Sequence, residues 1–139
     1  MRFFPLLLIA VIVYNILAFG TGFTHHDVYG TLSSAMTIHM FSGDDWHYSI
    51  GDLLVTLSLG LLFIEIVKST RTSSRQIVNH GLSMLTFVVA LVEFIVLRGF
   101  ATSTFFFILV MCLIDVVGGY TISIIAAEHD LGLGRAGTD

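Results

Sequence analysis

The chain has 139 residues, 55 % of them hydrophobic and 12 % charged, with a formal net charge of −4. Soluble domains are about one-quarter charged, so water is not the main solvent expected for this chain. The length suits one domain, and no basic patch interleaved with aromatics is present, which argues against nucleic acid as a partner.

The first apolar run is "FFPLLLIAVIVYNILAFG", residues 3–20. At 1.5 Å per residue it approaches the roughly 30 Å of a bilayer's hydrocarbon layer, and it carries Asn15. Arg2, the apolar core and the small residues near Ala18-Phe19-Gly20 also fit a secretory signal peptide. The run is long for such a core, and it is read as a retained first helix.

Residues 21–49 form a polar connection large enough to fold. In "AMTIHMFSGDDWHYSI", Met36, Ile38 and Met40 alternate with Thr37, His39 and Phe41, and Trp46, Tyr48 and Ile50 alternate with His47 and Ser49. With "SGDD" between them, the stretch predicts a β-hairpin turning at residues 42–45. Trp46 and Tyr48 suit a headgroup layer, where rings with one polar end collect. The hairpin is expected to lie across the helix ends. The same loop holds His25, His26, Asp27, His39, Asp44, Asp45 and His47, which are metal-ligand residue types. Their spacing matches no zinc motif. His25, His26, His39 and His47 remain weak candidates for copper(II), nickel or zinc, against the simpler reading of solvated loop histidines.

Three more apolar runs follow: "IGDLLVTLSLGLLFIEIV" (50–67), "IVNHGLSMLTFVVALVEFIVL" (77–97) and residues 104–127. In lipid every backbone group must be satisfied within its own segment, so all four runs are predicted helices. The fold class expected is an all-α membrane protein, a four-helix transmembrane bundle with a small extracytoplasmic β-hairpin, forming a single membrane domain over 1–139. "RGFATS" is short, which makes spans 3 and 4 antiparallel neighbours, with Thr102 or Ser103 as N-cap. The tail 128–139, with three glycines, is expected to be mobile.

Charge sets the orientation. Lys68, Arg71 and Arg75 lie between spans 2 and 3, Arg2 precedes span 1 and Arg135 follows span 4. Arg98 alone lies in a loop on the opposite side. The positive-inside rule then puts both termini in the cytoplasm and residues 21–49 outside. The single cysteine, Cys112, cannot form an intrachain disulfide and reads as a small buried hydrophobe.

Polar groups inside the spans are the candidate site residues. A charge at the bilayer centre costs at least about 2.5–3.5 kcal/mol, so such residues face a partner helix or a cavity. Asp115 lies about 16 Å along span 4, near the midplane. Cys112, Gly119 and Ser123 share its stripe, and span 3 carries a matching stripe of Asn79, Ser83, Thr86, Ala90 and Glu93. Span 2 contributes Asp52, Ser58 and Glu65. By depth, Glu65 is expected to meet His80, and Glu93 or Asp52 to meet Arg98. These contacts read either as structural bonds that fix helix register or as parts of an ion path.

"SGDDWHYSIGDLL", "LLFIEIVKSTRT", "ATSTFFFILVMCLIDVVGGYTISI" and the "AAEHD" that follows resemble a set of small four-span inner-membrane proteins of Gram-negative bacteria, a family without assigned activity. The likeness covers most of residues 36–130. It departs at Glu128 and His129, where such proteins often carry a second basic residue. The resemblance implies a bacterial inner-membrane location and no reaction.

Three functions can be weighed. A non-catalytic accessory or scaffold module fits the small size, with the lipid bilayer and other membrane proteins or itself as partners. An oligomeric proton or cation conductor would use Asp115 and Glu93. An enzyme finds no support in Gly-x-Ser-x-Gly, HExxH or His-rich motifs. No cofactor is predicted, since b-type haem needs two facing histidines and only His80 lies in a span with a partner helix.

Overall fold

The computed structural model describes residues 4–21, 25–70 and 76–136. Its elements in chain order are α1 (Leu7–Gly20), α2 (His25–Leu32), β1 (Ala35–His39), β2 (Asp45–Ser49), α3 (Ile50–Ser69), α4 (Gln76–Val96) and α5 (Ser103–Ala136). The long helices pack on one another, with α5 running between α3 and α4 and α1 touching all three.

Among the described residues, Ile50–Ser69, Val78–Val96 and Ser103–His129 are long and apolar enough to cross a membrane. The expected first span is shorter than read. Residues 1–3 lie outside the described residues, and helix begins only at Leu7, after Pro5. The 14 residues of α1 rise about 21 Å. At the other end, helix does not stop at 127, and α5 continues through Ala136. Its 34 residues extend about 51 Å.

The polarity of the helices is turned inside out. The buried stripe of α3 is Gly51, Leu54, Ser58, Leu62, Glu65 and Ser69, at steps of three and four. Its outward residues include Leu53, Leu57, Leu59, Phe63, Ile64 and Val67. On α4, His80, Ser83, Thr86 and Ala90 are buried while Leu85, Val88, Val92 and Ile95 are exposed. A helix of a water-soluble domain has the opposite arrangement.

The hairpin forms antiparallel with Ala35 opposite Ser49 and His39 opposite Asp45. The connection is residues 40–44, one residue earlier at its far end than the sequence suggests, because Asp45 already pairs with His39. Met40 N–H donates to Asp44 O (2.9 Å) and Gly43 N–H to Met40 O (3.0 Å), and Gly43 takes φ 93°, which favours glycine. Helix α2 had no sequence expectation. It is eight residues long, and among its described side chains Val28 and Leu32, one turn apart, are the buried ones.

Candidate functional site

The most heavily bonded buried charge is Glu65 on α3, with 1 % exposure. The start of α1 has no side-chain cap, so its first N–H groups need outside acceptors. Leu6 N–H donates to Glu65 Oε2 at 3.2 Å. The same oxygen accepts from Lys68 Nζ at 3.0 Å, one turn along α3. Oε1 accepts from Asn79 Nδ2 on α4 at 2.9 Å. One carboxylate thus joins three helices, and its negative charge sits at the positive end of the α1 dipole. Asn79 Oδ1 is buried with no partner among the described residues.

The expected Glu65–His80 pair does not form. His80 instead crosses to α5, where its Nε2 meets Ser123 Oγ at 2.8 Å and its ring stacks on Tyr120 at 5.4 Å between centroids. It lies over Gly119, where an added Cβ would come within 2.5 Å of His80 Cε1. The helices approach closely here because position 119 has no side chain. Asp115 is 6 % exposed, one turn before Gly119. It faces the Ser83 hydroxyl of α4, with Glu65, His80 and Lys68 near enough to act on it electrostatically. Asp115, Ser83, His80, Ser123, Glu65, Lys68 and Asn79 therefore form one polar region between α3, α4 and α5.

Nearer the hairpin the expected pairings also change. Glu93, half-buried on α4, accepts from Asn15 Nδ2 of α1 with both oxygens at 3.1 Å. Asp52 forms a capping box: Ser49 Oγ accepts from Asp52 N–H (3.1 Å) and Asp52 Oδ2 from Ser49 N–H (3.0 Å). Neither carboxylate pairs with Arg98, which is exposed beside the α4–α5 turn. Glu93 and Asp52 thus go to different partners, Asn15 and Ser49, and not to the arginine expected for one of them.

Tyr14 was missed as a site residue. It is fully buried on α1, and its hydroxyl donates to Gly99 O at 2.8 Å. It also meets Thr102 Oγ1 at 2.6 Å, and that oxygen accepts Phe105 N–H at 3.2 Å, capping α5. Gly99 turns the chain with φ 86°, which presents its carbonyl to Tyr14. Phe100 and Phe105 pack on the tyrosine ring at 5.2 and 4.6 Å. The legible signals were a lone tyrosine in an apolar run and the glycine of "RGFATS".

Among the described residues no three histidine, cysteine or acidic side chains converge as metal ligands. His39 pairs with Asp45 across the hairpin, and His47 Nδ1 meets Thr37 Oγ1 at 3.1 Å. The side chains of His25 and His26 lie outside the described residues.

Chemically, the polar region holds two carboxylates, an ammonium, an imidazole and hydroxyls. It does not continue to Glu93. Ser83 and Glu93 are ten residues apart on α4, about 15 Å, and buried Ala90, Ile108 and Cys112 fill that level. The hydroxyls of Thr86 and Ser58 bond back to their own helices, on Leu82 O and Leu54 O. Comparison with family models, curated proteins and solved structures finds no match to this chain.

Proposed function

We propose that the chain is a non-catalytic integral membrane protein acting as an accessory or scaffold module of a larger membrane assembly. The carrying observation is the inverted polarity of α3 and α4: their buried stripes are rich in polar and small residues, and their outward faces are largely apolar. In water such faces would drive aggregation, whereas lipid tails or other apolar helices cover them at no cost. α1 completes a four-helix bundle as its shortest member. Lys68, Arg71 and Arg75 in one short connection, against Arg98 at the other end, support cytoplasmic termini, and a bacterial inner-membrane location rests on the resemblance to small four-span proteins. The accessory role is supported by where the buried and half-buried polar groups are used. Glu65, His80, Glu93 and Tyr14 each bond to another helix or loop, which is what a rigid module requires.

A native mass spectrum of protein released gently from membranes tests this reading. A heteromeric mass supports it. A monomer or symmetric homo-oligomer under every mild detergent removes it. One observation favours a second reading, proton or cation conduction: Asp115 shares its polar region with Glu65, His80 and Lys68. Asp115→Asn would then abolish flux in proteoliposomes while the protein stays folded, and unchanged flux would end that assignment.

A further inference from the structure

The hairpin has two chemically different faces. Cross-strand partners share a face, so the pairs Met36–Tyr48 and Ile38–Trp46 lie together. Trp46 and Tyr48 meet edge to face at 5.1 Å. The opposite face carries Thr37, His47, His39 and Asp45, bonded in cross-strand pairs. All four apolar or aromatic members of the first face are exposed or half-exposed, as are Met40 and Phe41 at the tip.

The direction of that face is fixed by one bond. Tyr48 O–H donates to Thr56 Oγ1 at 3.0 Å. Thr56 lies six residues into α3, about 9 Å below its start, in the middle of the outward strip containing Leu53, Leu57 and Phe63. The apolar face of the hairpin therefore looks down along the outward strip of α3, and the polar face looks away from it. Resting on the membrane reading above, we infer that this face seats in the lipid surface itself, at the boundary between headgroups and acyl chains. The occupant is lipid because the hairpin face is continuous with the α3 strip that lipid covers. Its residues also match that layer, with one tryptophan and one tyrosine among aliphatic side chains. The hairpin acts as a flange that sets how deep α3 sits.

Trp46 is the only tryptophan of the chain, so its fluorescence reports this hairpin alone. The full-length protein is reconstituted in phosphatidylcholine vesicles carrying bromine either near the headgroup end or near the far end of the acyl chains. The expected result is blue-shifted emission, loss of emission with the shallow bromines, a smaller loss with the deep ones, and little loss with aqueous iodide. A reference protein carries Trp46→Phe and Leu57→Trp, placing the fluorophore on the outward strip of α3. Reference emission lost to bromolipid while Trp46 is quenched only by iodide overturns the inference and leaves the membrane reading standing. Trp46 protected from both quenchers also overturns it, in favour of a protein occupant. Bromolipid that quenches neither protein overturns both the inference and the membrane reading.

Discussion

The bundle is tied at its two ends by different chemistry. Near the hairpin, Tyr14, Gly99, Thr102, Phe100 and Phe105 make a neutral knot: three rings in contact and a run of hydroxyl and backbone hydrogen bonds. At the opposite end, Glu65 gathers Lys68, Asn79 and the start of α1, and His80 reaches across to Ser123. The knot draws its strength from shape and dispersion, which no proton or salt can alter. The junction depends on charge and on donors that are stranded if one acceptor leaves. Besides the Asn15–Glu93 bond, α1 is held against the other helices at its two ends by unrelated means.

The sharpest way to break this symmetry is Tyr14→Ala. Emptying an aromatic site in a packed core costs about 3–5 kcal/mol, and unfolding in mixed detergent micelles would read it as the largest loss of the set. Tyr14→Phe keeps the rings and loses the hydroxyl, leaving Gly99 O unpaired at a cost of about 1–3 kcal/mol. Glu65→Ala should cost a similar amount, about 1–3 kcal/mol, because Asn79 and Leu6 N–H lose their acceptor while Lys68, part-exposed, turns to solvent. Hydrogen exchange at the start of α1 should rise in that variant and stay unchanged in Tyr14→Phe.

A paired test follows at smaller scale. Gly119→Ala pushes a methyl group into the His80 ring and should cost about 1–3 kcal/mol by overpacking, with loss of the imidazole–Ser123 contact by NMR. Gly118→Ala, one residue away, meets nothing within 4 Å and should be neutral or stabilising by up to about 1 kcal/mol, since alanine is the better helix former. Equal effects at both positions would remove the close approach of α4 and α5 from the account. Smallest of all, Asp52→Ala should fray only the first turn of α3, and Arg98→Ala should leave the unfolding midpoint where it is.

Helices α3, α4 and α5 were legible because long apolar runs have few alternatives, and the hairpin because alternation at period two is hard to imitate by chance. α2 was not, since Val28 and Leu32 are its only buried apolar pair and His25, His26 and Asp27 mask the period. For the candidate residues, position along each helix can be counted, but side-chain direction cannot. Asn79 and His80 sit at nearly one level, yet successive helical residues point about 100° apart, so one meets Glu65 on α3 and the other Ser123 on α5. Position along an axis can be counted from sequence. Rotation about it is decided by packing, and the wrong partner for Glu65 followed from that gap. Asp52, one of two candidate partners for Arg98, caps α3 instead, as Ser49 three residues before it spells.

The bonds of α1 have a bearing on the order of assembly. Every cross-helix polar partner described for it comes much later in the chain: Leu6 waits for Glu65, Asn15 for Glu93, and Tyr14 for Gly99 and Thr102, separations of 59 to 88 residues. During synthesis from the N-terminus, α1 is made before each of these partners and can be finished only after them. Until the α4–α5 turn arrives, Tyr14 and Asn15 stand on a short apolar helix without their mates, and α1 must be held near its birthplace while three later helices enter. With Cys112→Ala as background, an Ala18→Cys thiol on α1 should be open to labelling in a released chain truncated before Gly99 and closed in the full chain.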